Sequence, residues 1–229
     1  FVLIVYFALI STKKAEQNKV WVGLSKETAH QLGTPISSLM AWMDLLESSG
    51  VDSSLLSDMN KDVNRLSVIA ERFSKIGSKP EMELIYVNEV LENATEYMRR
   101  RVSDKVLITT HLPSDAEGAM VCLSLFEWVI ENLCKNAVDA MNGEGRIDVY
   151  MTSEKQQIYI DIKDTGKGIA RKNFKTVFNP GYTTKKRGWG LGLTLAKRII
   201  EDYHAGRIYV KDSEVGKGTT FRIELTRVV

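Results

Sequence analysis

The sequence predicts an α+β protein in which an N-terminal helical hairpin precedes an α/β sandwich with a mixed, mostly antiparallel sheet. Three observations support this fold class. Apolar residues recur every three or four positions as far as residue 76, Gly77-Ser78-Lys79-Pro80 interrupts that repeat, and period-two alternation appears only afterwards. Helices gathered on one face of a mostly antiparallel sheet form such a sandwich. We therefore predict a hairpin at 15–77, a linker at 78–84 and a sandwich domain at 85–229.

The hairpin is predicted by two helical repeats, at 15–48 and 54–76, which a short break at Ser48-Ser49-Gly50 separates. Two helices joined in this way lie antiparallel. Each carries an apolar stripe wider than one partner helix covers, and two such hairpins make a four-helix bundle. The sequence therefore predicts a homodimer that is held together by a dimeric four-helix bundle.

The first ten residues, FVLIVYFALI, carry no charge, and Lys13, Lys14 and Lys19 follow them. As a helix, ten residues span about half of a bilayer core, and lysines are typical of the cytoplasmic flank of a membrane helix. Two interpretations stay open: the end of a transmembrane helix, or a buried element of the soluble fold. We favour the first, which makes 1–14 the end of a transmembrane helix and its juxtamembrane segment.

The sandwich domain is predicted from alternating helical and strand patterns. The helices are expected at 87–101, 121–142 and 191–203, and the strands at 105–111, 145–152, 156–163, 207–212 and 218–226. Residues 164–190, which are rich in glycine, threonine and lysine, are expected to form a loop with a short helix.

Composition excludes some classes of protein. Apolar residues make up 44% of the chain and charged residues 26%, as in ordinary folded proteins. The formal net charge of +2 gives no electrostatic reason to expect a nucleic-acid partner. Cys122 and Cys134 would lie about 18 Å apart on one helix, too far for a disulfide, so we expect two free, buried thiols.

Two asparagines on the helix at 121–142 form the first candidate for chemistry. Asn132 and Asn136 are four residues apart and therefore share one helix face. Neutral amides on one face suit a hydrated Mg²⁺, which takes oxygen ligands, and phosphate oxygens, which accept N–H bonds. The alternative is that both are simply solvated.

The second candidate is Asp164-Thr165-Gly166-Lys167-Gly168-Ile169, which follows a strand. A carboxylate at a strand end accepts a hydrogen bond from an exocyclic amine, and flanking glycines let the backbone approach a flat base closely. The alternative is a glycine-rich turn with no ligand.

The third candidate is Gly188-Trp189-Gly190-Leu191-Gly192, which opens the helix at 191–203. Glycines at a helix N-terminus expose N–H groups and the positive end of the helix dipole, which favours an anion. Just upstream, 183–187 (TTKKR) supplies cations for a phosphate. The spacing is neither a dinucleotide fingerprint nor a P-loop.

Taken together, these segments resemble the Bergerat-type ATP site that histidine kinases share with gyrase-type topoisomerases, mismatch-repair ATPases and heat-shock chaperones. The segment from Asn132 to Asn136 resembles the N box, and the segment from Asp164 to Gly168 resembles the G1 box. Phe178 and the residues after it resemble the F box and ATP lid, 188–192 the G2 box, and 216–221 (GKGTTF) the last glycine motif.

The resemblance implies roles for individual residues. Asp164 is expected to bind the adenine amine, Asn136 to hold Mg²⁺, Asn132 to assist with metal or phosphate, and Lys185 to reach the γ-phosphate of ATP. The full expected ATP site consists of Asn132, Lys135, Asn136, Asp164, Gly166, Gly168, Ile169, Phe178, Tyr182, Thr183, Thr184, Lys185, Gly188, Gly190, Leu191, Gly192 and Thr219.

One position separates the branches of this superfamily. Members that hydrolyse ATP carry a glutamate four residues before the metal-binding asparagine, where it acts as a base on water. Here Asn132 occupies that position and cannot take a proton, while Glu131 points about 100° away on the helix. The resemblance therefore implies a site that passes its phosphate to another nucleophile.

His30 is the predicted nucleophile. The segment 28–35 (TAHQLGTP) resembles the H box of dimeric histidine kinases, and neutral imidazole is a competent nucleophile near neutral pH. The family implies that Thr34 orients the water that dephosphorylates a response regulator. Many relatives have an acid after the histidine; here Gln31 is expected to orient the imidazole instead. Pro35 is expected to kink the helix.

The other two histidines, His111 and His204, are predicted to be structural, and His204 is expected at a helix end where a cation favours the dipole.

The resemblance implies a sensor histidine kinase that autophosphorylates His30 from ATP and passes the phosphate to an aspartate of a response-regulator receiver domain, which it also dephosphorylates. It would be anchored at the inner, cytoplasmic membrane, with this portion in the bacterial cytoplasm. Two alternatives stay open. The first is an ATP-responsive, non-catalytic dimeric adaptor, which Gln31 favours. The second is a gyrase- or chaperone-like ATPase, against which stand the hairpin and Asn132 in place of the glutamate.

Overall fold

The computed structural model describes the backbone of residues 2–78, 80–185 and 190–228, and within these ranges the side chains of all but 2–22, 24 and 53–55. The chain divides into two compact units, Phe1–Pro80 and Glu81–Val229.

The first unit is a helical hairpin. Helix α1 spans Val2–Ser48 and helix α2 spans Ser53–Ile76, so α2 agrees with the predicted range, whereas α1 begins before residue 15. Pro35 lies inside α1 without ending it, and a kink there stays a prediction. Among the described residues no helix is long and apolar enough to cross a membrane. The side chains of the predicted membrane segment, 1–10, lie outside the described residues.

A small apolar core joins the two helices of the hairpin. Its members come from facing positions of α1 and α2: Leu32, Ile36, Met43, Val63 and Ala70. Other large apolar side chains of the hairpin are exposed, among them Leu39, Met40, Trp42, Leu45, Met59 and Leu66.

The end of α2 packs directly on the backbone of α1. A Cβ atom built on Gly77 would lie 2.9 Å from the backbone nitrogen of Lys26, closer than real Cβ contacts come. Glycine is therefore required where the chain leaves the hairpin.

The second unit is a sandwich of one five-stranded sheet and helices. The strands of this sheet are β2 Val106–His111, β4 Gly145–Glu154, β5 Gln157–Asp164, β6 Arg207–Glu214 and β7 Gly218–Thr226. Their order in the sheet is β2-β4-β5-β7-β6, in which only the β2–β4 pair is parallel. The predicted mixed, mostly antiparallel sheet is confirmed.

Three helices follow the sequence periodicity: α3 at Val87–Arg99, α4 at Leu123–Ala140 and α5 at Gly192–Arg198. A π-helical turn at Ile199–Tyr203 continues α5, and two 3₁₀ turns, Arg171–Asn173 and Thr176–Phe178, stand where a short helix is predicted.

Alternation along the central strands explains the core. Ile147 and Val149 of β4 and Ile158, Ile160 and Ile162 of β5 are buried on one sheet face. Helix α4 packs against β4, β5 and β7 and also contacts α3 and α5. This packing fixes the position of Asn132 and Asn136, which are half-buried at the border of the buried face of α4.

A two-stranded sheet was not predicted. Strands β1 (Glu83–Tyr86) and β3 (Gly118–Val121) pair antiparallel, and β3 takes up Val121, which the sequence assigns to the following helix. Helix α4 therefore starts at Leu123.

The structure corrects the predicted charge of His204. This ring is buried, its Nε2 accepts the backbone N–H of Cys122 at 3.0 Å, and its Nδ1 lies 2.7 Å from the carbonyl oxygen of Ile199. Burial lowers the pKa of His204. The neutral ring therefore joins the start of α4 to the end of the α5 segment by hydrogen bonds. The prediction of a positively charged His204, which rested on its position near a helix end, is wrong.

The two cysteines are free and buried, as predicted. Burial raises the pKa of the Cys134 thiol to about 12, so it stays protonated and unreactive near neutral pH.

Candidate nucleotide site

Asp164 stands at the end of β5, where the central strand of the sheet meets a glycine loop. Its carboxylate is buried, and Oδ1 accepts the backbone N–H of Gly166 at 2.8 Å. The backbone N–H of Thr219, on the neighbouring strand β7, also bonds to it. Burial raises the pKa of Asp164, while these two bonds act in the opposite direction. The result is a fixed acceptor inside the domain.

The glycine loop after Asp164 is held closely by the β6–β7 turn. Gly168 has φ +71°, and a Cβ atom there would collide with the carbonyl oxygen of Glu214. The backbone N–H of Gly216 donates to the carbonyl oxygen of Lys167 at 2.8 Å, and that of Ile169 donates to Ser213 Oγ at 2.7 Å. The loop is therefore anchored on both sides of Gly168.

Asn132 and Asn136 lie on the same face of α4, as predicted. Their Nδ2 atoms are buried and have no hydrogen-bond partner within the described part of the chain. A Cβ atom on Gly192 would come within 2.5 Å of Asn132 Oδ1, so the first turn of α5 reaches the asparagine only because residue 192 is glycine. Two unpartnered buried donors, one of them beside the start of α5, indicate a place for an acceptor-rich ligand.

Lys185 reaches α4 from the loop after Phe178. Its Nζ donates to Asn136 Oδ1 at 3.1 Å and to Asp139 Oδ2 at 2.5 Å. Asp139 was not selected from the sequence, although its position one turn beyond Asn136 on the same face makes it visible in retrospect. The structure thus brings the predicted cation to the predicted metal-binding amide.

The neighbouring loop residues support this position. The backbone N–H of Lys185 donates to Thr183 Oγ1 at 3.1 Å, and Lys167 donates to Thr184 Oγ1 at 2.9 Å. Tyr182 is half-buried, and its backbone N–H donates to the carbonyl oxygen of Asn179 at 3.1 Å.

Phe178 and the start of α5 close the other side. The Phe178 ring is buried edge-on to Phe221, with centroids 6.1 Å apart, and its carbonyl oxygen accepts from Thr194 Oγ1 at 3.0 Å. Gly181 donates its N–H to the carbonyl oxygen of Gly190 at 3.2 Å, and Leu191 caps α5. Gly188 lies outside the described residues.

Two members of the predicted set differ in their surroundings. Lys135 is exposed on α4, and its side chain has no hydrogen bond or ion pair within the described ranges. Thr219 is buried, and its Oγ1 lies 2.9 Å from Ser213 Oγ. Sequence reasoning missed Ser213, because a register shift between Val210 and Asp212 places it opposite Thr219.

The predicted acceptor lies in the hairpin. His30, Gln31 and Thr34 are exposed on α1. His30 and Thr34, but not Gln31, line a shallow depression of about 580 Å³ together with Ala29, Gly33, Ser37, Ser38 and Ala41. Gln31 Nε2 donates to Glu27 Oε1 at 2.6 Å, so the described contact of this amide is with Glu27 and not with the imidazole.

Residues 123–228 match a family model described as histidine kinase-, DNA gyrase B-, and HSP90-like ATPase. The sensor histidine kinase ZraS of Salmonella typhimurium is 26% identical over 226 residues, which cover 95% of this chain and 48% of ZraS.

Two solved structures share the fold. Full-length ShkA in complex with AMPPNP gives a TM-score of 0.69 at 19% identity, covering 90% of this chain and 46% of that one. The histidine kinase ThkA in complex with the response regulator TrrA gives 0.62 at 18% identity, covering 97% of this chain and 66% of that one. The chain spans between 29% and 50% of the length of the first curated relatives it matches.

Proposed function

The chain carries an ATP-binding domain of the histidine kinase type, and on that premise we propose that it transfers the γ-phosphate of ATP to His30. An aspartate of a response-regulator receiver domain then takes the phosphate, and the same hairpin assists its later hydrolysis with Thr34. The domain assignment supports the ATP half of this proposal, and the exposed histidine in the first unit of the same chain supports the acceptor half.

The observation that carries the proposal is the pair of amides on α4. The position one turn before Asn136 holds Asn132, whose amide cannot take a proton from water. A site that holds ATP without a general base beside the metal position retains the γ-phosphate for a nucleophile brought from elsewhere. His30 is such a nucleophile, since a neutral imidazole offers a ring-nitrogen lone pair.

ATP has a fitting partner for each of its ends. Asp164 accepts from the adenine amine at the closed end of the site, and its carboxylate is already fixed by two backbone N–H groups. Lys185 supplies a positive charge for the γ-phosphate, next to Asn136. The exposed N–H groups at the start of α5 receive the phosphate oxygens between them.

The α4 residues also fit Mg²⁺. Asn136 Oδ1 already accepts from an ammonium group, so this oxygen faces a position where a cation is favoured. The unpartnered Nδ2 atoms of Asn132 and Asn136 need acceptors, which phosphate oxygens provide. When bound, Mg²⁺ neutralises charge on the phosphates during transfer. In this proposal Asn136 holds the ion and Asn132 steadies a phosphate or a water ligand.

Gln31 is proposed to orient the His30 ring rather than to take its proton. The amide nitrogen of Gln31 donates to Glu27, which leaves its carbonyl oxygen as an acceptor for an imidazole N–H. Orientation of the ring makes transfer possible without an adjacent carboxylate.

We propose the same partners and location as the sequence predicts. The exposed apolar residues of the hairpin favour a homodimer, and the uncharged residues 1–10 followed by lysines favour an anchor in the cytoplasmic membrane.

The test is to incubate the chain with γ-labelled ATP and Mg²⁺ and to compare wild type with His30→Gln. His111→Gln is the matched control, because His111 is a second exposed histidine outside the hairpin. We expect acid-labile, base-stable label on wild type and His111→Gln only.

Each of the other outcomes contradicts part of this proposal or favours a different function. Label that persists in His30→Gln contradicts the acceptor. Steady ATP turnover with no labelled protein favours a water-using ATPase, and ATP binding with neither label nor turnover favours a non-catalytic adaptor.

A further inference from the structure

Ser213 is a half-buried residue of β6 to which the proposed transfer gives no role, and its hydroxyl joins three parts of the site. Its Oγ accepts the backbone N–H of Ile169 at 2.7 Å, donates to the carbonyl oxygen of Gly218 at 2.8 Å, and lies 2.9 Å from Thr219 Oγ1. Ile169 ends the glycine loop that begins at Asp164, and Thr219 bonds to Asp164 through its backbone. Ser213 therefore contacts both segments that flank the Asp164 carboxylate, which are the glycine loop and the start of β7.

The hydrogens of this cluster can be assigned from donor capacity. A serine hydroxyl has one hydrogen and two acceptor lone pairs. The carbonyl oxygen of Gly218 can only accept, so the Ser213 hydrogen is used there, and the Ile169 N–H occupies one lone pair. The contact with Thr219 is then satisfied only if Thr219 donates. Its own oxygen is left with lone pairs and no hydrogen to offer a ligand.

The backbone holds this arrangement in place. The register shift between Val210 and Asp212 puts Ser213, not its neighbour, opposite Thr219. The bond from Gly216 N–H to the Lys167 carbonyl oxygen ties the same turn to the glycine loop. The cluster therefore cannot reverse its hydrogen direction without losing a bond in a partly buried site.

We propose that Ser213 is a positioning residue that sets the base specificity of the nucleotide site. With Thr219 held as an acceptor beside the acceptor Asp164, the site receives the 6-amino group of adenine, directly or through one water. A 6-oxo purine, such as hypoxanthine or guanine, presents a carbonyl acceptor where adenine presents its 6-amino donor. Its N1 hydrogen lies at the neighbouring ring position and does not replace that donor, so such a purine binds more weakly. The inference rests on the proposed ATP binding at Asp164 and adds the residue that makes the selection.

The experiment measures dissociation constants of ATP and ITP by competition against a fluorescent ATP analogue, with Mg²⁺, on the full 229-residue chain. ITP differs at the base by its 6-oxo group and N1 hydrogen, so the ratio of the two constants reports base selection alone. We expect wild type to prefer ATP by about 100-fold or more, because the analogue leaves buried acceptors unpaired. Ser213→Ala frees the Thr219 hydroxyl to donate, and the ratio should fall by about tenfold.

Two further variants separate this role from a structural one. Ser213→Thr keeps the hydroxyl and should restore most of the ratio, whereas Thr219→Val removes the acceptor and should lower the ratio as Ser213→Ala does. The matched control is Ser153→Ala, which removes a hydroxyl bond of 2.7 Å to Glu117 Oε1 at the other end of the sheet. Its ratio should stay at the wild-type value.

The outcomes separate this inference from the function it rests on. An unchanged ratio in Ser213→Ala and in Thr219→Val, or equal weakening of ATP and ITP, overturns the role of Ser213 while ATP binding stands. A wild-type chain that binds neither nucleotide overturns the proposed function, and this inference with it. If the far-ultraviolet circular dichroism shows that Ser213→Ala is unfolded, the ATP-to-ITP ratios of Thr219→Val and Ser213→Thr decide whether the inference stands.

Discussion

The hairpin and the sandwich unit differ in how much of their apolar surface they bury within one chain. In the sandwich unit the central isoleucines Ile147, Ile158 and Ile160 are fully buried between sheet and helices. In the hairpin, Trp42 is 64% exposed and Leu45 is 57% exposed. The sandwich unit therefore buries its central apolar side chains within one chain, whereas the hairpin leaves large apolar side chains exposed, and we expect a second surface to cover them.

The largest expected effect is the loss of a central isoleucine from the sandwich. Ile160→Ala removes a fully buried side chain from the middle of β5, where surrounding strands restrict collapse of the cavity. We expect the free energy of unfolding of this unit to fall by about 2–5 kcal/mol. Urea unfolding followed by tryptophan fluorescence measures the change, and a loss below about 1 kcal/mol would show that the core is less complete than its burial indicates.

The second test compares two equally exposed leucines, one from each unit. Leu45→Ser in the hairpin should weaken self-association by about tenfold or more, since a buried leucine contributes about 1.5–3 kcal/mol. Leu84→Ser, at 57% exposure in β1, should leave self-association unchanged. Sedimentation equilibrium gives both dissociation constants, and equal weakening by the two variants would contradict the assignment of the uncovered surface to the hairpin.

The third effect is a pH dependence confined to the sandwich unit. The folded-state pKa of His204 is lowered by burial, so the unfolded chain takes up a proton first as the pH falls. The stabilising contribution of the neutral ring is fully present above the unfolded pKa of about 6.5 and is lost below it, by at most about 1.4 kcal/mol per pH unit.

Urea unfolding at pH 7.5 and pH 5.5 tests this dependence. His204→Gln should reduce the difference between the two conditions, while His111→Gln, whose ring is partly exposed on the sheet, should retain it. A wild-type sandwich unit that becomes more stable at the lower pH would contradict a neutral His204 ring in the folded state.

The smallest effect is expected at the exposed pair between Lys185 and Asp139. Asp139→Asn removes a competitor for the Lys185 ammonium group, so affinity for ATP with Mg²⁺ should rise by about two- to threefold. Glu214→Gln breaks a similar exposed pair, with Lys217 at 2.7 Å, and serves as the control. Calorimetric titration measures both, and a weakened affinity in Asp139→Asn would mean that the aspartate helps to hold the nucleotide.

Periodicity predicted the parts of the fold in which one face is buried along a whole element. Strands β4 and β5 follow this rule, since their apolar positions match their burial. The apolar repeat also predicted the range of α2, although Met59 and Leu66 of that repeat are exposed. Strands β1 and β3 were not predicted from the sequence, because each has four residues and pairs with a distant segment. Runs of that length carry too few alternations to separate from a loop.

The site was predictable where chemistry is carried by single residue types. Asp164, Asn136 and Lys185 lie in short segments whose order resembles the Bergerat-type ATP site, and that resemblance implied their roles. The structure brings the last two into hydrogen-bond contact. Ser213 was not predictable, because the register shift that places it opposite Thr219 leaves no signal in composition or spacing. The charge of His204 was predicted wrongly for a related reason. Its position near a helix end can be read from the sequence, but its burial cannot.

The contact between Gly77 and Lys26 has a mechanical consequence. Positions far apart in the sequence touch there through backbone atoms, and no side chain lies between them to absorb a movement. Any side chain larger than hydrogen at residue 77 would therefore have to displace the end of α2 from α1 at residue 26. We expect the spacing between these two segments of the hairpin to depend on this one glycine.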